Sequence, residues 1–251
     1  MFSLHAFNST LASTTAGYQN VVPAADPIAT VSGNLLYVGG LPNLLGAFML
    51  STESTVGKIE TPSLLNLAPY QISPIVKNAL PTATRREMIN PASPRPLVTN
   101  EAMQVYGDAT SGQPDPDVTV GVVMSDGALS PVAGDIFHAY ATIVTGSIKD
   151  AWNNVALTFQ NTLPAGTYDV VGARVEGAHG KLFRLVFQGN SSIRPGSLFA
   201  YGTDGEDVKG ARDGGWGVWG TFDQFTPPSI DVFTDGTSET AQVFLDLIKK
   251  A

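Results

Sequence analysis

Past residue 134 the chain is a succession of short apolar runs, and this punctuation limits the folds open to it. Eight strand-length runs lie at 136–144, 155–160, 167–176, 182–187, 197–201, 216–225, 230–233 and 242–248, with turns or polar loops between them. Runs this short build strands, and eight of them with loops of unequal length fit a jelly roll. In 167–176 the side chains alternate: Val171, Ala173 and Val175 fall on one face, Tyr168, Val170 and Arg174 on the other. The period predicts a buried first face and a second face covered by a neighbour. Only the last run is ambiguous. Ala241, Val243, Leu245 and Leu247 alternate as in a strand, while Ala241, Phe244, Leu245 and Ile248 also share a helical face; the strand is preferred.

The first half repeats the rhythm less clearly, with six or seven runs between residues 34 and 125. Residues 1–30 are Ser/Thr/Ala-rich without clear period and read as an extended arm over a partner or a frayed end. Ser125-Asp126-Gly127-Ala128 is a turn signal. The expected organisation is an N-terminal arm at 1–30, a first jelly roll at 31–128 and a second at 129–251. The expected fold class is all-β, with two jelly-roll β-sandwiches and one large β-sandwich as the alternative. Composition agrees: 26 Gly and 17 Pro supply turns, and only 14% of residues are charged. So few charges suit a surface covered by neighbouring subunits better than long solvated helices.

Charge and cysteine content narrow the function. The net charge is −8, and no Lys or Arg occurs before Lys58. A basic N-terminal arm for neutralising nucleic acid is therefore missing, and direct sequence-specific nucleic-acid binding is not expected. The same stretch lacks the charged start of a secretory signal. The apolar run 35–50 is interrupted by Pro42, Asn43 and glycines and is short for a membrane span. With no cysteine, disulfides, zinc–thiolate sites and thiol catalysis are excluded.

The search for chemistry returns little. His5, His138 and His179 share no metal-ligand spacing, and each reads as structural. No nucleophile elbow, phosphate-binding loop or zinc-protease motif is present. The best candidate site is the acidic stretch Asp204, Glu206, Asp207 and Asp213. Several carboxylates on a flexible turn suit a hard cation such as Ca²⁺, although the spacing is not that of an EF-hand and Lys209 and Arg212 share the loop. No other cofactor is expected. Trp216 and Trp219 could stack on a sugar if exposed, but a regular strand would point them to opposite faces.

Several stretches resemble capsid proteins of tailless icosahedral bacteriophages. They are Leu41-Pro42-Asn43-Leu44-Leu45-Gly46-Ala47-Phe48, Thr61-Pro62-Ser63-Leu64 and 163–174, with Arg194-Pro195-Gly196 and Trp219-Gly220-Thr221-Phe222. Together they are spread over most of the chain after residue 40. The resemblance implies the double jelly-roll lineage, in which three chains form a pseudo-hexagonal capsomer. It implies self-assembly into homotrimers and a larger shell, contact with other capsid proteins, residence in the virion and, in many members, an internal membrane.

Three readings follow. The first is a structural capsid subunit with no enzymatic activity. The second is a secreted or surface β-sandwich that binds carbohydrate through Trp216, Trp219 or the acidic loop. The third is a glycosidase whose carboxylates come together only in space.

Overall fold

A computed structural model describes residues 1–52, 55–65, 70–72, 75–76, 88–109, 114–190, 192–200 and 210–250. The described residues are all-β, 55% in strand and 1% in helix. The chain divides into two compact units. One is His5–Gly127; the other is Ala128–Ala251 together with Met1–Leu4.

The first unit contains β1 (Phe2–Thr10) from His5 onward, β2 (Gln19–Pro23), β3 (Thr30–Ser32), β4 (Leu35–Tyr37), β5 (Asn43–Ser51) and β6 (Thr55–Glu60). A single helical turn, α1 (Pro62–Leu65), precedes β7 (Tyr70–Ile72), β8 (Ile75–Val76), β9 (Met88–Ile89), β10 (Arg95–Pro96), β11 (Ala102–Ala109) and β12 (Asp117–Ser125). Strands β1, β12 and β5 lie side by side, and the short pieces β8, β9 and β10 complete the other edge of β5. A second layer runs β2-β11-β6-β7. β3 and β4 form an extra hairpin against β11. With the pieces beside β5 taken as one position, the principal strands in chain order give 1-8-3-6 and 2-7-4-5. This is the arrangement of a jelly roll. Val118, Val120 and Val122 of β12 and Ala47 and Met49 of β5 share one core cluster with Val21, Ile59 and Val105 from the second layer. On β11 the period of two is intact: Met103, Val105, Gly107 and Ala109 are buried, and the residues between them are half-exposed.

The second unit contains β13 (Ile136–Val144), β14 (Trp152–Ala156), β15 (Thr158–Phe159), β16 (Thr167–Glu176) and β17 (Gly180–Val186). They are followed by β18 (Gly196–Leu198), β19 (Gly220–Asp223), β20 (Ser229–Thr234) and β21 (Thr240–Lys249). One sheet runs β15-β13-β21-β16-β19 and the other β14-β20-β17-β18. With β15 set aside as an extra edge piece, the order is again 1-8-3-6 and 2-7-4-5. The same topology thus occurs twice in one chain. The last segment is a strand, paired with β13 from Ile136↔Ile248 to Val144↔Thr240.

Two expectations are corrected. Residues 1–30 are not an arm: β1 is a strand whose residues Phe2 to Phe7 are buried, and β2 follows it. The polar Ser3 and His5 hid the period, yet both are buried because each has a partner. Ser3 Oγ accepts the Arg194 amide at 2.9 Å, and His5 Nδ1 lies 2.9 Å from Asp26 Oδ2. In β16 the two faces do not divide as predicted. A register shift between Val170 and Gly172 breaks the alternation, so Tyr168 and Val170 are buried along with Val171, Ala173 and Val175. Tyr168 stacks on Phe222, and its hydroxyl donates to the Pro164 carbonyl.

Candidate functional site

Of the four expected cation ligands, Asp204, Glu206 and Asp207 lie outside the described residues. Asp213 sits in the turn leading to Trp216, and its amide donates to Asp246 Oδ2 at 2.8 Å. Leu245 and Leu247 of β21 face the core, so the period of two puts Asp246 on the other face of the sheet. Arg212 grips the Asp246 carboxylate with both arms of its fork, Nε to Oδ2 at 2.7 Å and Nη2 to Oδ1 at 2.6 Å. His138, the register partner of Asp246 on β13, places Nδ1 2.8 Å from Oδ1. Gly172 is the partner on β16. A Cβ there would fall 2.3 Å from Asp246 Oδ2 and 2.9 Å from the Ala211 carbonyl, so only glycine leaves room for the clasp.

Asp246 is buried. Burial by itself pushes its carboxyl up. Hydrogen bonds from Arg212 and the Asp213 amide, the Arg212 charge and the His138 contact outweigh burial and hold the group below the usual carboxylate range. One donor atom each from His138, Asp213 and Asp246 lies within 4.8 Å of the others, a spacing that a metal ion could bridge. However, the Arg212 guanidinium engages both Asp246 oxygens and approaches His138 Nδ1 to 3.5 Å. It already supplies the positive charge that a cation would bring. The cluster is an ionised anchor that fastens the 210–217 turn to the sheet.

Asp231 is a second buried carboxylate held by arginines. Asp231 accepts from Arg184 Nε at 2.9 Å, Arg194 Nη1 at 2.5 Å and Asn154 Nδ2 at 2.8 Å, and Arg184 lies 4.1 Å over the Trp152 ring. Glu239 accepts from the backbone amides of Ala178, His179 and Gly180 and closes that hairpin. His179 pairs with Asp235 at 3.0 Å. All three histidines therefore face an aspartate through Nδ1. Such a dyad becomes a catalytic triad only with a hydroxyl nucleophile on the imidazole. Among the described residues no hydroxyl is hydrogen-bonded to any of the three. None of these pairings was legible in the sequence, because the partners lie between 21 and 108 residues apart.

Trp216 and Trp219 are not a sugar platform. They are 2% and 3% exposed, stacked with centroids 6.2 Å apart, and Phe2 meets both edge-on at 5.5 and 5.2 Å. The expected strand across them is a turn, with positive φ at Asp213, Gly214 and Gly217. A Cβ on Gly214 would lie 2.1 Å from the Val132 carbonyl. The turn runs beside β16 through bonds from Gly214 N to Val171 O and from Trp219 N to Val170 O. That path puts both rings on the same side, in the core.

No family model, curated protein or solved structure matches this chain.

Proposed function

We propose that this chain is a structural subunit, the major capsid protein of an icosahedral virus, built to assemble as a homotrimer. The observation that carries the reading is the double occurrence of one jelly-roll strand order in a single chain. Three chains with two such blocks each supply six similar blocks, the number needed to tile a shell with pseudo-hexagonal units. The low charge content supports extensive contact between subunits.

Size-exclusion chromatography with light scattering, followed by negative-stain imaging, tests the proposal. The expected particle has a mass of about 79 kDa, three times the chain's 26.3 kDa, and a six-lobed outline. A monomer at every concentration up to the solubility limit would refute it.

A further inference from the structure

The segment Met1–Leu4 starts β1, yet it packs as part of the second unit. Phe2, Ser3 and Leu4 are all buried. Phe2 enters the notch between Trp216 and Trp219. Leu4 N donates to the Arg194 carbonyl at 3.0 Å, and the Arg194 amide donates to Ser3 Oγ at 2.9 Å. The Leu4 carbonyl accepts from Arg184 Nη1 at 3.1 Å. Next along, Leu185 N donates to the Pro195 carbonyl at 2.7 Å. The segment thus lies alongside Arg194, the residue two before β18, and is tied to it by one main-chain bond.

The receiving side is organised by groups other than the segment. Arg184 is oriented by Asp231 on one side and by Trp152 beneath its plane, which aims Nη1 at the position of the Leu4 carbonyl. Taking the segment away removes one hydrogen bond from the Arg184 guanidinium and uncovers the edges of Trp216 and Trp219, and a hydrogen bond from a charged donor is worth more than one between neutral groups. Main-chain bonds for affinity and a side-chain notch for selectivity are the ingredients of strand addition.

We propose that the second jelly roll carries a strand-receptor site for an extended Phe-Ser-Leu segment, and that a second copy of the chain can supply this segment in place of its own. The supply from a second copy rests on the assembly reading above; the receptor itself does not. An identical segment from another copy would make identical contacts, which is why exchange of an element between protomers costs little.

The test uses the whole chain in two variants, one carrying Phe2→Ala and one lacking residues 1–4. Each is titrated with a synthetic peptide spanning Met1–Asn8 and with the same peptide carrying Phe2→Ala. Melting is followed by tryptophan fluorescence, since all three tryptophans lie in the second unit. The native peptide should raise Tm by about 5–10 °C at a concentration on the order of 100 times its Kd. The control peptide should not. If the native peptide fails to bind the Phe2→Ala chain, or both peptides bind alike, there is no receptor. For exchange, a labelled deletion chain is incubated with unlabelled intact chain and should co-elute with it. Peptide binding without co-elution overturns the exchange. If in addition the intact chain is monomeric, the assembly reading falls while the receptor stands.

Discussion

Asp246→Asn tests the clasp at its centre. Asparagine keeps the shape but removes the charge, and one of its two terminal atoms becomes a donor facing donors. Breaking a buried ion pair costs about 3–5 kcal/mol, and each hydrogen bond to a charged group contributes about 1.5–3 kcal/mol. The Arg212 side chain is 18% exposed and can turn partly to water, so the low end applies, about 3 kcal/mol. For a chain of this size that lowers Tm by about 6–12 °C. Tryptophan fluorescence is the assay, because all three reporters lie in the affected unit. The pH dependence adds a second test. The Asp246 carboxyl is held below its unfolded value, about 3.9. Its stabilisation is therefore fully present above that pH and is lost as pH falls through the folded value. The gap between wild type and Asp246→Asn should be widest near neutrality and close in strong acid. A variant melting within 2 °C (roughly half a kcal/mol) of wild type at pH 7 would refute the anchoring role, as would a gap that does not change with pH.

Three further substitutions read other parts of the structure. Gly172→Ala should lower the second unit's melting temperature by about 2–12 °C, since the added methyl collides with the Asp246 carboxylate and the Ala211 backbone; overpacking costs about 1–3 kcal/mol. Glu239→Ala should speed hydrogen exchange at the Ala178, His179 and Gly180 amides, with a loss of about 1–2 kcal/mol because water can replace part of the lost acceptor. Phe225→Ser should leave melting within about 0.5 kcal/mol of wild type. That ring is 83% exposed, and its turn is held by Asp223, which accepts the Phe225 amide at 3.0 Å and the Thr226 amide at 2.8 Å.

The strands of the second unit were largely legible because their side chains keep a period of two and turn residues separate them. β21 shows how far this goes: its alternation gave the right element where a helical face competed with it. Other features depended on three-dimensional neighbours. β1 escaped because Ser3 and His5 look like surface residues until Arg194 and Asp26 are brought beside them. The division of faces in β16 failed at one inserted residue, for which the sole sequence hint is Gly172, a glycine inside a strand run. The apolar run 216–225 suggests a strand through the tryptophan pair, although the glycines around it are the mark of a turn. Asp213 stands out in the sequence for its charge, but its amide is what reaches the anchor, Asp246, more than thirty residues later.

The place of Met1–Leu4 in the second unit also sets an order in time. A ribosome completes Phe2 214 residues before it reaches Trp216. At about 5–20 residues per second this is an interval of roughly 10–40 s. During it the strands from His5 to Gly127 are all available, so the first jelly roll can close while the leading end of β1 waits. The Phe-Ser-Leu segment is then displayed on each nascent chain until its own second half emerges. On a messenger carrying several ribosomes, neighbouring chains would meet in this state, and synthesis rate becomes a lever on who pairs with whom.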